Sequence, residues 1–389
     1  MSFRPSLQLG FLLPAILLGL GLLEVCLRLL PIDTFTYRAW EAMIGDAVPG
    51  APFNGDHAYF TERTYGDLAA LGNLPERREY RSERFTTDRL GYRNPPDLVE
   101  AAPIDAILLG TSFSVGAGMN DDETLAAQLH QKSGRVVYNA ASPEYLQATA
   151  LARTAALAGE LRLRGRTVIY EYLERHDPPP IRSLEEQQAL AAELSSPCAP
   201  GAASGAVQAR CEVGRLIGPT PLSPLRILGE RTYRQLEDDR LLPNRYAAQV
   251  TPLTLVNGHT MLFLPLDLQS TGRLRRESDV ADYFVWLRSE LARLDLDLLV
   301  ALVPDKSTVY GPLLNEPLPD SEQAAAFLAR LDGELAARGV RSLDLTPPLR
   351  LAARDGLPRD EYVYWSDDTH WSPRGIGVAA EAILARWTR

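Results

Sequence analysis

Two short clusters, far apart in the chain, hold the residue types that acyl transfer to oxygen requires. The first is Gly110-Thr111-Ser112-Phe113-Ser114. The second is Tyr364-Trp365-Ser366-Asp367-Asp368-Thr369-His370-Trp371-Ser372-Pro373. A serine hydroxyl is a weak nucleophile until an imidazole takes its proton, and the imidazole does so best when a carboxylate orients it. Ser112 is the candidate nucleophile and His370 the candidate base. Asp367 or Asp368 can supply the carboxylate. Gly110 allows a sharp turn before the serine, and the Ser112 N–H, at the start of a helix, can face a developing oxyanion.

Further candidates follow other predicted strands. Glu174, Arg175 and His176 close the run Tyr170-Glu171-Tyr172-Leu173. Glu174 and Arg175 fit either substrate positioning or a structural ion pair, and His176 is a rival base. Lys306 and Tyr310, in Val303-Pro304-Asp305-Lys306-Ser307-Thr308-Val309-Tyr310, fit polar-ligand contacts or a solvated loop. No His/Cys cluster has metal-ligand spacing, so no metal is expected. Cys198 and Cys211 flank a Gly/Ala-rich stretch, and a short flexible loop closed this way suits a disulfide in an oxidising compartment.

These clusters need a scaffold that brings them together. Short apolar runs at 104–109, 136–139, 167–172, 297–303 and 340–345 predict five strands. Helical patterns lie between or beyond them at 123–132 (capped by Asp121 or Asp122), 144–164, 278–294, 321–338 and 374–386. This alternation predicts an α/β domain, a five-stranded parallel sheet flanked by helices. In such sheets ligands bind at the carboxyl ends of the strands, where the candidate clusters fall. Residues 176–275 interrupt the rhythm and read as an insertion, with Asn257-Gly258 marking a hairpin. Residues 32–103 read as a lead-in that packs on the domain spanning 104–389.

Residues 1–31 differ. Leu9 to Leu23 carry no charge, and a helix over 9–30 would extend about 33 Å, enough for a hydrocarbon core of roughly 30 Å. This predicts an uncleaved, single-pass signal anchor, with Glu24 and Arg28 paired near one interface and the main domain in the periplasm. The chain has 389 residues, and its 40 Lys and Arg against 50 Asp and Glu leave a net charge of −10. It lacks the basic footprint of a nucleic-acid binder.

Together the motifs resemble the SGNH/GDSL hydrolase superfamily. Gly110 to Ser114 look like its first block, with Thr111 where many members have Asp, and Asp367-Asp368-Thr369-His370 look like its last. More narrowly, the chain is similar to the alginate O-acetyltransferase AlgX/AlgJ group. That group shows a GTS-type serine motif, an E-x-x-E-R segment, a V-P-x-K-x-x-x-Y segment and an acid-Thr-His-Trp motif. Here these look like Gly110 to Ser112, Glu171 to Arg175, Val303 to Tyr310, and Asp368 to Trp371. In the alginate group the Asp-His motif precedes the serine; here the order is permuted. The superfamily spacing D-x-x-H points to Asp367, and the narrower D-x-H points to Asp368, which is favoured. Asn139-Ala140-Ala141-Ser142 stands where the oxyanion Gly block would fall.

The resemblance implies an SGNH, flavodoxin-like fold. It implies Ser112, Asp368 and His370 as catalytic residues, with Gly110, Asn139, Glu174, Arg175, Lys306, Tyr310 and Trp371 as oxyanion or substrate contacts. It also implies O-acetylation of an exported polysaccharide or cell-envelope glycan at the inner membrane, without a soluble cofactor, the acyl group coming from a membrane-bound O-acyltransferase. The alternatives are an esterase that removes acyl groups with the same residues, and an inactive glycan-binding or assembly subunit.

Overall fold

The computed structural model describes residues 5–27, 51–194, 224–268, 277–316, 318 and 321–388. The chain forms two compact units, one of residues 1–37 with 197–244, the other of residues 38–196 with 245–389. In the first unit, α1 (Pro5–Leu27) packs with a later helix, Pro224–Asp238. Among the described residues no helix is long and apolar enough to cross a membrane; the helix expected over 9–30 extends past α1 into residues outside them. Pro14 lies inside α1, and the Glu24 carboxylate accepts the Leu225 N–H at 3.0 Å. Residue 28 lies outside the described residues, as does the expected pair Cys198 and Cys211.

The second unit begins with an antiparallel pair, β1 (Ala58–Thr64) and β2 (Arg81–Thr86), with the short helix α2 (Asp67–Leu71) between them. The central sheet follows: β3 (Ile104–Leu109), β4 (Val137–Asn139), β5 (Leu163–Leu173), then, after a two-stranded hairpin β6 (Thr251–Thr254) and β7 (Thr260–Phe263), β8 (Asp297–Val303) and β9 (Arg341–Asp344). Its order is β4-β3-β5-β8-β9, parallel throughout. The expected five-stranded parallel sheet is therefore present, and the hairpin turns at Asn257-Gly258.

Besides the short helices Leu98–Ala101 and Pro265–Leu268, the helices of this unit are, in chain order, α3 (Ser112–Val115), α4 (Leu125–Ser133), α5 (Ala150–Glu160), α6 (Leu184–Leu194), α7 (Glu277–Arg293), α8 (Lys306–Tyr310), α9 (Ser321–Ala337), α10 (Thr346–Gly356) and α11 (Pro373–Trp387). Alternate strand residues face opposite layers. Leu299, Ala301 and Val303 pack with α4, α10 and α11, while Leu298, Val300 and Leu302 pack with α5, α7 and α9. Burial on both faces is why these strands read as continuous apolar runs.

Two local expectations change. Thr124, rather than Asp121 or Asp122, caps α4, because the acids form a preceding turn of 3-10 helix. The run expected as one helix over 144–164 divides into a 3-10 turn, Glu144–Thr149, and α5, and β5 already begins at Leu163. Pairing of Leu163 with Ile104 overrides helix propensity there.

Candidate active site

Strand β4 lies on one side of β3 and β5 on the other, so the connections leaving β3 and β5 diverge. A crevice at such a switch point is where open α/β sheets bind ligands. Ser112 follows β3, and Glu174 and Arg175 follow β5. The turn to Ser112 needs glycine at 110. A Cβ there would lie 2.5 Å from Glu171 Oε2 and 2.8 Å from Ser114 Oγ. That approach lets Glu171 Oε2 accept the Thr111 N–H at 2.8 Å and the Thr111 hydroxyl at 3.1 Å. Burial pushes the Glu171 carboxyl up to about 7, against the pull of these donors. Ser112 then opens α3, which closes at Gly116 in the left-handed region (φ +86°).

The second cluster forms a loop closed by a bridge between Tyr364 and Trp371 and by the Trp365 N–H donating to His370 O at 3.2 Å. Lys306 fills the loop from beneath. Its ammonium donates to the carbonyl oxygens of Leu262 (2.8 Å), Trp365 (2.7 Å), Ser366 (3.0 Å) and Asp368 (3.0 Å). Burial pulls the ammonium down to about 8. Trp371 seats the loop on the serine helix, its indole N–H donating to Phe113 O at 3.1 Å.

These supports bring the two clusters together. Ser112 Oγ lies 2.7 Å from His370 Nε2, and His370 Nδ1 lies 2.6 Å from Asp368 Oδ1. All three are placed as nucleophile, base and orienting acid require, within the roughly 3 Å of a hydrogen bond. His370, and not the rival His176, meets the serine. Asp368 is the acid at the imidazole. Asp367 Oδ1 takes Arg81 Nη1 at 3.0 Å, and its Oδ2 takes the amides of Gly66 at 2.7 Å and Glu79 at 2.9 Å. Burial, helped by neighbouring Asp368, raises the Asp367 carboxyl, and Arg81 opposes the rise.

Other expected contacts have structural partners instead. Asn139 is buried, its amide donating to Ser114 O at 2.8 Å and its oxygen accepting the Ala141 N–H at 3.1 Å, so it braces the serine helix from behind. Buried Tyr310 accepts the Val363 N–H at 2.9 Å. Glu174 accepts the Asp305 N–H at 2.7 Å and the Thr308 hydroxyl at 2.9 Å, and burial beside Asp305 pushes its carboxyl well up. Arg175 pairs with Asp305 at 2.8 Å and stacks over Phe113 at 5.3 Å. Lys306 and Trp371 are likewise enclosed. Close packing of the loop, the serine helix and β8 turns these side chains into braces.

Residues 51–94, which carry no recognisable motif, also contribute to the site. Arg81 Nη2 donates to Asp368 Oδ2 at 2.9 Å, and the Asp67 N–H donates to the same oxygen at 3.2 Å. The Leu68 and Ala69 amides, in the first turn of α2, bind Asp367 O at 3.1 and 3.0 Å. Gly66 permits this approach, since a Cβ there would lie 2.0 Å from Asp367 O. Arg93 and Asn94 hold the other side. Arg93 donates to the Val115, Gly116 and Met119 carbonyls, and Asn94 accepts the Asn139 N–H at 2.8 Å. No spacing in the sequence links residues 66–94 to residues 112 or 366–370. Asp67, Asp368 and His370 present ligand-type atoms within 4.8 Å of one another, but the atoms at the centre of this group are engaged by the 2.6 Å bond between Asp368 and His370.

Residues 262–389 match the family described as SGNH hydrolase-like domain, acetyltransferase AlgX. Three relatives, each named "Probable alginate O-acetylase AlgJ", are similar over short stretches. The protein from Pseudomonas syringae pv. tomato is 29% identical over 111 residues, 28% of this chain and 27% of the relative. That from Azotobacter vinelandii is 33% identical over 96 residues, 24% and 23% of the two chains. That from Pseudomonas fluorescens is 31% identical over 97 residues, 25% and 23%. The chain thus spans about a quarter of the length of these relatives. The matched family segment includes Asp368 and His370 and begins well after Ser112.

Proposed function

With an SGNH hydrolase-like segment of the AlgX kind as the starting point, we propose that this chain is a serine-dependent O-acyltransferase acting on a polysaccharide. The observation that carries the reading is the unbroken path from Ser112 Oγ through His370 to Asp368, with links of 2.7 and 2.6 Å. With Nδ1–H donated to Asp368, Nε2 keeps its lone pair for the serine proton; the tautomer follows from these partners. Ser112 Oγ attacks the acyl carbonyl carbon as its proton passes to Nε2. The tetrahedral oxyanion collapses, the bond to the leaving group breaks, and the imidazolium returns its proton to that group. A sugar hydroxyl then gives its proton to Nε2, attacks the acyl-Ser112 carbonyl and takes the acyl group, and Ser112 recovers its proton. The Ser112 N–H is the oxyanion donor in this reading.

The acyl group and the acceptor class rest on the names of the relatives, each "Probable alginate O-acetylase AlgJ". In this chain the acyl group is acetyl, relayed by a membrane-bound O-acyltransferase, and the acceptor is a glycan outside the cytoplasm. A carboxyl-terminal alkaline phosphatase fusion tests the location; an inactive fusion with an intact chain refutes it. The reaction is tested with p-nitrophenyl acetate and intact mass. One acetyl on the wild type and none on Ser112→Ala is expected, followed by discharge to added oligosaccharide. No adduct on the wild type, or an unchanged one on Ser112→Ala, overturns the proposal, and discharge to water alone at saturating sugar assigns an esterase.

A further inference from the structure

We propose that Asp67, brought in by the N-terminal segment, is a positioning residue for His370. The inference rests on the reading of His370 as the base, and it concerns a residue that lies outside the segment matched to the family. Asp67 is the first residue of α2. Its Oδ1 accepts the Thr369 N–H at 2.7 Å, and its Oδ2 accepts the Thr369 hydroxyl at 2.5 Å. The same Oδ2 lies 3.7 Å from His370 Nδ1. Through its own amide Asp67 also holds Asp368 Oδ2. One residue thus fixes both loop neighbours that precede the imidazole, and places a second carboxylate beside its Nδ1.

The second carboxylate matters because Asp368 is shared. Arg81 binds Asp368 Oδ2 and draws its negative charge away from the imidazole. When His370 takes the serine proton, the new cation faces Asp368 at 2.6 Å and Asp67 at 3.7 Å. The other charged groups around it stand further back. Arg81 and Asp367 act through the loop, and Lys306 acts from beneath through Asp368 O. Arg175 lies across the Phe113 ring, which is 4.7 Å from the imidazole centroid. The Asp67 side chain is 21% exposed, so its field is partly screened and a moderate effect is expected.

The test reads the His370 imidazole by proton NMR titration in the full chain, its signal identified by loss in His370→Asn. The chain has five histidines, few enough to resolve. Asp67→Asn keeps the shape of the side chain and an acceptor for the Thr369 amide, but removes the charge. Losing a nearby negative charge disfavours the imidazolium, so the titration midpoint falls, by about half to one pH unit. The acid limb of acyl-Ser112 formation moves down with it, and the plateau rate falls about tenfold. Asp67→Glu, which retains the charge, restores most of both. Thr369→Val keeps Asp67 but removes the hydroxyl that hydrogen-bonds its Oδ2, lets that oxygen face the imidazolium, and moves the midpoint upward; this variant carries the test should Asp67→Asn fail to fold. Midpoints unchanged within 0.2 pH units in folded Asp67→Asn or Thr369→Val overturn the inference, even where Ser112 is acylated. A shifted midpoint with no acyl adduct on wild-type Ser112 supports the hold of Asp67 on the imidazole and refutes the acyl-transfer reading alone.

Discussion

Replacing Lys306 with Met sets two opposing effects against each other. Lys306 is fully enclosed, and its ammonium is held down from 10.5 to about 8 by burial. At roughly 1.36 kcal/mol per pH unit, that corresponds to about 3 kcal/mol spent to keep the charge inside at pH 7. Met removes this cost. It also leaves the carbonyl oxygens of Leu262, Trp365 and Asp368 without their ammonium donor, while Ser366 O keeps the Leu262 N–H at 2.8 Å. Unpaired buried acceptors cost roughly 1–3 kcal/mol each, so the loss over these three is about 6 kcal/mol at the middle of that range. The loss outweighs the relief, and with partial hydration of the carbonyls the net destabilisation is about 2–3 kcal/mol. The sign with pH also follows. The folded lysine releases its proton near 8 and the unfolded one near 10.5, so wild-type stability from this group rises between those values. The deficit of Lys306→Met therefore grows from pH 7 to pH 9.5. Urea unfolding at both pH values measures it. A deficit below about 1 kcal/mol at pH 7, or one that shrinks at pH 9.5, would refute the view of Lys306 as the internal brace of the Asp–His loop, since a broken buried hydrogen-bond set should cost more than that.

The two adjacent acids should separate cleanly. Asp368→Asn is expected to lower the rate of Ser112 acylation on the order of 10³-fold with the fold retained. Asp367→Asn, which sets an amide against the Gly66 and Glu79 donors, is expected to cost about 2 kcal/mol in urea unfolding with a rate within tenfold of wild type; the reverse pattern would exchange their roles. Glu171 is the second pH test. Its carboxyl keeps the proton up to about 7 when folded, against 4.5 as the ordinary value, so wild-type stability from this group falls as pH rises through that interval, by up to about 3 kcal/mol. Glu171→Gln should flatten the decline in urea midpoint between pH 5 and pH 8, and parallel curves for the two proteins would rule the assignment out.

Much of the architecture was legible because its signals are local. Strands β3 and β8 match their predicted runs residue for residue, and the helices Glu277–Arg293, Ser321–Ala337 and Pro373–Trp387 match within a residue or so at each end. Parallel strands buried on both faces must be apolar throughout, and that requirement is visible without a structure. The start of β5 was not legible, because pairing with β3 at Leu163 outcompetes an Ala/Leu-rich helical signal. Ser112 and His370 stood out by residue type and company. Asp67, Arg81 and Gly66 did not, since a Gly-Asp pair at a helix start and one arginine among many carry no mark of a partner about 300 positions away.

By itself the amino-acid sequence determined which groups could share a proton: one serine after a strand, one histidine flanked by acids, and an α/β rhythm able to bring strand ends to one edge. Only tertiary structure decided which acid faces the imidazole. Asp367 and Asp368 are chemically identical neighbours, and the choice between them lies in a loop closed around Lys306 and clamped by Arg81 and the first turn of α2. The same packing decided that Lys306, Tyr310 and Asn139 are braces. A buried polar side chain must find its hydrogen-bond partner somewhere, and the identity of that partner is a property of three-dimensional proximity, which residue type and spacing do not encode.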